Sequence, residues 1–203
     1  GNVGIWLSYN YREVENDFAG TEFELNSHTA IGGIDYSPND RWVFGLAIAY
    51  EDSDTDTIFN SGNLESDGFT IAPYFGILLN DTWSLDANIG FSFIENDQFR
   101  TDPTTSARVT SAPETDRFFI ATNLNGITYH DNCILGGRFG FLFAKTETED
   151  FTESNGVFVG ERLTKLGQLR VGGDIAYSHR NWEPFFSATY EYDFSFDEIV
   201  LVT

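Results

Sequence analysis

Apolar and polar residues alternate along nine stretches of this chain, and the last stretch shows the pattern most plainly. Tyr190, Tyr192 and Phe194 fall on one face of that stretch, whereas Glu191 and Asp193 fall on the other. Successive side chains of a β-strand point to opposite faces, so this pattern predicts a strand with one aromatic and one polar face. Nine such strands predict a membrane β-barrel with an apolar outside and a wet inside.

Turns separate the nine predicted strands, and short connections alternate with long ones. The short turns are rich in Asn, Asp and Pro and fall near residues 39, 81, 131 and 180. The long connections are predicted at 14–26, 51–67, 95–116 and 146–163. This alternation places every short turn at one end of the barrel and every long loop at the other, as in outer-membrane barrels.

The length of the predicted strands suits a bilayer. About 11 residues extend over roughly 36 Å, and a tilt of about 40° reduces this to roughly 27 Å, close to the thickness of the hydrocarbon layer. Trp42, Trp83 and Trp182 each begin a predicted strand, and Tyr36 lies at the end of another. We expect these four rings to form an aromatic girdle at the membrane interface.

The predicted fold class is all-β, an antiparallel up-and-down transmembrane β-barrel of residues 1–203 as a single outer-membrane domain. Nine or ten strands are visible, and 10–12 are expected in the complete protein because bacterial single-chain barrels close with an even number. We therefore expect the native chain to continue beyond Thr203 into the closing strand or strands. The sequence has no run of about 20 apolar residues that would form a membrane-spanning helix.

Charge and composition exclude several other classes of protein. The net charge of −21 repels nucleic-acid phosphates, so no nucleic-acid partner is expected. An aromatic content of 16% argues against a disordered acidic chain. The single cysteine, Cys133, excludes an internal disulfide framework.

The polar face of the predicted strands carries charges of both signs. Ionisable groups at membrane depth indicate a pathway when they face a water-filled cavity, although ion pairs in a solvated wall would give the same pattern. The predicted lumen-lining residues are Arg12, Asp35, Arg41, Asp86, Arg138, Arg170, Asp174, Glu183 and Glu191.

The sequence indicates no enzyme, cofactor or metal site. The segment 52–56 resembles the start of a calcium loop, but Thr57 stands where glycine is needed and Asn63 where a bidentate Glu is needed. Two of the three histidines, His130 and His179, lie in predicted turns, and no Gly-x-Ser-x-Gly segment is present. Anionic loops that hold divalent ions loosely near lipopolysaccharide are the simpler interpretation of the acidic segments.

Residues 4–50 resemble the opening hairpin of the autotransporter β-domain family. The motif consists of Gly33-Ile34-Asp35-Tyr36, then Trp42, then the Gly-rich strand from Gly45 to Tyr50. The remainder of the chain resembles the family through the rhythm of its strands and turns. The resemblance implies a 12-stranded barrel used in type V secretion. A passenger would cross the membrane with its help, and a linker helix would lie in the lumen.

The expected function is therefore a translocator pore and membrane anchor in the bacterial outer membrane. Expected partners are outer-membrane lipid and lipopolysaccharide, a passenger domain or linker helix in the lumen, and the barrel-assembly machinery. The chain shows neither a passenger nor a linker helix ahead of Gly1, and it lacks the family's terminal aromatic strand. A stand-alone small porin or structural barrel is the alternative, and an outer-membrane hydrolase is a third hypothesis. A soluble barrel binder is rejected, because the large apolar side chains would overfill a small lumen.

Overall fold

The computed structural model describes residues 1–180 and 182–195 and consists almost entirely of antiparallel strands. The bounds are β1 (Asn2–Asn16), β2 (Phe23–Asn39), β3 (Trp42–Thr57), β4 (Gly62–Leu78), β5 (Trp83–Thr101), β6 (Arg108–Ser111), β7 (Glu114–His130), β8 (Cys133–Thr148), β9 (Phe151–Thr152), β10 (Phe158–Val159), β11 (Arg162–Tyr177) and β12 (Phe185–Ser195). A single 3-10 turn (Ile58–Asn60) joins β3 to β4. Within the described ranges, no helix has the length and apolar character needed to cross a bilayer.

Nine long strands form one continuous sheet in chain order, which confirms the predicted up-and-down topology. The order is β1-β2-β3-β4-β5-β7-β8-β11-β12, and β6 pairs with the end of β5 as a tenth strand. The strands β9 and β10 form a separate hairpin. In the part of the chain that the structure describes, no ladder joins β1 to β12, so each has one free edge. The predicted position Phe196 of the last strand lies outside the described residues.

The sheet has an apolar face and a polar face, and register keeps them separate. The apolar face includes the cross-strand row Ile48, Ile71, Phe91 and Phe118. The adjacent row on the polar face is Ala49, Thr70, Ser92, Arg117 and Thr146. Because a slip of one residue would exchange the faces, each ladder of hydrogen bonds fixes which side chains meet which solvent.

The apolar side chains of this protein do not form an internal core. Val109, 3% exposed, is the one buried hydrophobic residue of the core among the described residues, whereas Ile5 and Leu7 are 83% and 82% exposed. A chain of this size would bury many large apolar side chains if water surrounded it. The exposed apolar face therefore requires lipid as its solvent, as in a transmembrane barrel.

The prediction of strands of about 11 residues with long loops is wrong for most of the sheet. Eight of the nine long strands have 15–19 residues. The predicted connection 51–67 is mostly strand, because β3 continues to Thr57 and β4 begins at Gly62. Asp52, Asp54 and Asp56 keep the alternation beyond Tyr50, but both faces are polar there and the hydrophobic pattern ends.

These extensions carry an acidic collar on the same side of the sheet as the apolar face. The acidic collar consists of Glu13, Glu15, Glu24, Asp52, Asp54, Asp56, Glu65, Asp67, Glu95, Asp97, Glu114, Asp116 and Glu147. Lys145 and Lys165 are the two residues among Lys and Arg on that side of the described long strands. Carboxylates stand directly opposite one another, as in the row of Asp52, Asp67 and Glu95. The collar marks where the apolar belt ends.

The short turns confirm the predicted end of the sheet, with one difference at the last turn. Asp40 and Arg41 join β2 to β3, and residues 131–132 join β7 to β8. Trp182 forms an isolated bridge with His179 instead of beginning the last strand, which starts at Phe185. Pro184 precedes that strand and has no N–H to donate to a ladder. The predicted turn residue Asn181 lies outside the described residues.

On the apolar side, the position of a residue along the membrane normal is expected to determine how much a charged substitution destabilises the barrel. Leu46→Arg should lower the free energy of unfolding by about 2–4 kcal/mol because the cation would lie within lipid. Asp52→Arg, on the same side of β3 but in the acidic collar, should cost less than about 1 kcal/mol. Denaturant titration of the full-length protein in lipid vesicles would measure both variants. Equal losses would contradict this placement of the belt.

Close packing over glycine on the polar face gives a second prediction. A Cβ at Gly45 would overlap the Tyr74 ring, whereas a Cβ at Gly76, on the same face, would meet nothing within 4 Å. Gly45→Ala should therefore destabilise the barrel by about 1–3 kcal/mol, and Gly76→Ala should not. The midpoint of heat unfolding, followed by the gel mobility of the folded barrel, would measure this. Adding Tyr74→Ala should restore the Gly45→Ala midpoint if the overlap is the cause.

Candidate functional site

Seven of the nine predicted lumen residues lie together on the polar face. Strand register places Arg12, Asp35, Asp86, Arg138, Arg170, Asp174 and Glu191 there. Arg41 and Glu183 lie in the short connections, so strand alternation assigns neither to a face. The Arg41 carbonyl instead accepts a hydrogen bond from the Leu78 N–H at 2.8 Å.

A relay of three side chains crosses the polar face of the first four strands. The Trp6 Nε1–H donates to the Tyr74 hydroxyl at 2.9 Å, and that hydroxyl donates to Asp35 Oδ2 at 3.3 Å. The intervening strands carry glycines below both rings: a Cβ at Gly33 would lie 2.5 Å from the Trp6 ring, and one at Gly45 would overlap Tyr74. The absence of side chains there lets both rings lie across the sheet and reach each other.

A cavity of about 530 Å³ adjoins this relay on β1–β5 and β7. Its lining includes Trp6, Asp35, Tyr74, Asp86, Asn88 and Phe119. Asp86 accepts hydrogen bonds from Asn123 at 2.7 Å and from Asn125 at 2.9 Å, so neutral amides hold this carboxylate in place. The Asn88 Oδ1 is buried and has no hydrogen-bond partner.

The opposite part of the polar face, on β7, β8, β11 and β12, is rich in guanidinium groups. Arg170 donates to the side-chain carbonyl of Gln168, and its Nε lies 3.3 Å from a carboxylate oxygen of Glu191. The amide of Gln168 donates to Asp193 at 2.6 Å. Arg138 faces Gly172 across the β8–β11 ladder, and Asp174 lies two residues further along β11. This wall combines cations with carboxylates.

Two loop segments meet at the end of the sheet opposite the short turns and form a strap. Arg100 donates two hydrogen bonds to Glu153, at 3.0 and 2.7 Å, and so ties the end of β5 to the β9–β10 hairpin. The Ser154 N–H donates to the Thr110 carbonyl at 2.9 Å and extends the contact. The strap lies beyond the apolar belt and spans the end of β7.

Hydrogen bonding in the strap and the adjoining loop shifts the pKa values of two acidic groups. Hydrogen bonding from Arg100 lowers the pKa of Glu153 from its ordinary value, and the same hydrogen bond raises the pKa of Arg100. Backbone N–H groups of Thr105 and Thr104 lower the pKa of Asp102 in the adjoining loop. Both carboxyls are therefore ionised at neutral pH.

The predicted girdle residues lie toward the end of the sheet that holds the short turns. Trp42 begins β3 and stacks on Phe44 with ring centroids 5.5 Å apart. Trp83 begins β5, and Tyr36 lies on the apolar face near the end of β2. Trp182 is 77% exposed in the last turn. Their place at a membrane interface stays a prediction.

The sequence did not single out Trp6 and Tyr74, the two rings of the relay. Trp6 lies between Ile5 and Leu7, and its even position already assigned it to the polar face of its strand. Tyr74 has the same parity as Thr70 on its own strand. The signal was therefore present, but only strand register shows that the two rings meet over glycines.

Comparison with known proteins identifies one matching family and two solved structures with a similar fold. The family model "Autotransporter beta-domain" matches residues 5–202. No curated protein matches the chain. The translocator domain of the autotransporter NalP from Neisseria meningitidis superimposes with a TM-score of 0.80 at 12% identity, covering 98% of this chain and 70% of that one.

A second solved structure, the β domain of the Bordetella autotransporter BrkA, superimposes with a TM-score of 0.73 at 15% identity. The match covers 95% of this chain and 81% of that one. At such low identity these likenesses show the fold alone, an outer-membrane β-barrel whose apolar side faces lipid. Together with the family match over nearly the whole sequence, they show that the chain belongs to the autotransporter β-domain family.

Proposed function

We propose that the polar face of this outer-membrane β-barrel lines a translocator pore through which a passenger segment crosses, and that the barrel anchors the passenger in the membrane. The observation that carries the proposal is a wall of mixed charge and small side chains, in a chain that belongs to the autotransporter β-domain family. The function requires no covalent chemistry, because a pore acts by offering a polar path through lipid.

The charge balance of the wall supports this role. The strands place six arginines and six acidic residues on the polar face, namely Arg12, Arg100, Arg117, Arg138, Arg162, Arg170, Asp35, Glu51, Asp86, Asp174, Glu191 and Asp193. A balanced wall holds water without the strong field of a single sign, which would trap a segment of opposite charge. The excess negative charge of the protein lies in the acidic collar and the connections instead.

Anchoring would rest on the opposite side of the sheet. The apolar belt would contact outer-membrane lipid, and the acidic collar above it would lie at the level of lipopolysaccharide head groups. The acidic collar and the lipopolysaccharide head groups are both anionic, so we propose that loosely held cations lie between them. Insertion of so much apolar surface would require the barrel-assembly machinery as a further partner.

We also propose that residues 1–203 belong to one barrel domain. The single sheet from β1 to β12 supports this. Its two free edges present unpaired peptide groups, and lipid offers them no hydrogen bonds. Pairing by residues outside the described ranges would close the barrel and would bring the strand number to the expected 10–12.

Arginines of the wall give the direct test of the pore. Changing Arg138 and Arg170 together to Gln should reduce surface display of an epitope upstream of Gly1 several-fold, because the wall would lose two cationic groups that bind water and peptide carbonyls. Protease accessibility of the epitope on intact cells would measure display, and heat-modifiable gel mobility would measure insertion. Lys165→Gln, on the outer side of β11, is the matched control. Conductance that depends on both arginines in a chain without a passenger would favour a porin instead.

The strap should open in acid, because its contact with Arg100 requires Glu153 to be ionised. Because its pKa is lower in the folded protein, its stabilisation is complete above its ordinary unfolded value and is lost as pH falls through the lower folded value. Amide exchange at Ser154, corrected for intrinsic rates, should accelerate over that window. Glu153→Gln should give fast exchange already at neutral pH. Undiminished pH dependence in that variant would assign the effect to Asp102.

A further inference from the structure

The ladder between β4 and β5 has one interruption, and it lies in the middle of the apolar belt. The pairs Ile71–Phe91 and Tyr74–Asn88 flank two positions on each strand that are not paired with one another. The register is the same on both sides of the interruption, so neither strand carries an inserted residue there. Among the described residues, the other ladders of the nine long strands run unbroken across the belt.

A proline causes the interruption. Pro73 stands at the position opposite Ile89, and its nitrogen carries no hydrogen to donate to the Ile89 carbonyl. The β3–β4 ladder continues through the pair Leu46–Pro73, so the loss falls on the β5 side alone. Proline in a sheet is normally confined to edge strands and bulges, whereas β4 is an interior strand and has no bulge here. Lipid offers the Ile89 carbonyl no other donor.

The polar side of the sheet is loosely packed at the same place. Gly90 has no side chain, and Ala72 has only a methyl group. The Phe119 ring lies over Gly90, where a Cβ would overlap it, and both Ala72 and Phe119 line the cavity of about 530 Å³. The ladder therefore lacks a hydrogen bond at a point where side-chain packing between β4 and β5 is also weak.

Separating the two strands costs less free energy at this point than elsewhere in the sheet. Elsewhere, separation breaks complete pairs of hydrogen bonds, whereas here the Ile89 carbonyl is already without the donor that Pro73 cannot supply. When the strands part, water from the polar side can reach that carbonyl past Ala72 and Gly90, which present no large side chain. Elements with few buried contacts and incomplete hydrogen bonding are the first to open in a folded protein.

We propose that the junction of β4 and β5 at Pro73 is a hinge in the barrel wall. The wall formed by β1–β4 tilts against the wall formed by β5–β12 about a line parallel to these strands, and the lumen widens while a bulky stretch of passenger passes. The hinge follows from the ladder itself, and its use by a passenger rests on the proposed function. The Thr70 and Ser92 hydroxyls, 2.8 Å apart and two residues from the interruption, hold the junction closed at rest.

Amide hydrogen exchange of the full-length protein in lipid vesicles tests the hinge itself. Ile89 and Ile120 stand opposite each other in the β5–β7 ladder and so lie at the same depth, but Ile120 also pairs with Phe143 in the unbroken β7–β8 ladder. The Ile89 N–H should exchange at least about tenfold faster than the Ile120 N–H. Equal rates at the two positions would overturn the hinge.

Restoring the missing donor should close the hinge. Pro73→Val supplies an N–H with a side chain of similar size, so we expect slower exchange at Ile89 and a higher midpoint of heat unfolding. Ile71→Val, a change on the same face that leaves the backbone donors as they are, is the matched control and should raise neither. Unaltered exchange at Ile89 in Pro73→Val would contradict the proposal.

Disulfide locks test the use of the hinge by a passenger. In a Cys133→Ser background, Thr70→Cys with Ser92→Cys would join β4 to β5. Thr115→Cys with Thr148→Cys would join β7 to β8 as the control, because these hydroxyls also oppose each other directly, 3.1 Å apart. We expect the first lock to slow surface display of the upstream epitope several-fold and a reductant to restore it. The second lock should change display little.

The two measurements separate this inference from the proposed function. Display that is indifferent to the first lock, or slowed equally by both locks, would overturn the role of the hinge in passage and leave the translocator intact. Absence of display from an inserted, unmodified barrel would reject the translocator, while fast exchange at Ile89 would still support the hinge.

Discussion

Every peptide group that enters lipid must find its hydrogen-bond partner on a neighbouring strand, because the bilayer offers none. This requirement accounts for the ladders from β1 to β12 and for the near absence of other secondary structure. Once the ladders are set, each side chain has only two environments, lipid or lumen. The apolar row through Ile48 and Phe91 and the polar row through Thr70 and Arg117 are the direct result. The residues that carry the function must therefore lie on the face of the sheet that does not contact lipid.

Alternation alone predicted the fold class, the nine long strands and the end of the sheet that carries the short turns. These features follow from the local pattern, since odd-numbered and even-numbered residues of one strand lie on opposite faces of the sheet. The same pattern could not give the length of the strands, because beyond Tyr50 and Phe69 both faces are polar and the contrast disappears. It could not place Arg41 or Glu183 either, because alternation has no meaning in a turn.

The candidate site was predictable in part. Parity correctly grouped Asp35, Asp86 and Arg170 on one face, but it carries no information about neighbours on other strands. The relay of Trp6, Tyr74 and Asp35 depends on register among β1, β2 and β4 and on glycines at Gly33 and Gly45. Register results from pairing along the whole ladder, so a contact of this kind cannot be read from any single strand. The distribution of charge likewise depends on strand register, which produces a balanced polar face and an acidic collar.

The two lysines of the sequence, Lys145 and Lys165, stand directly opposite each other on the outward side of β8 and β11, whereas all strand cations on the polar face are arginines. Within residues 1–203, side-chain primary amines are thus confined to one point at the rim of the sheet. A reagent that acylates amines would modify the outer side of the sheet there and would leave the side chains on the polar face of these strands unmodified. A fluorophore or a surface tether can therefore be attached to the outer side of this sheet by ordinary amine chemistry, without a change to any side chain of its polar face.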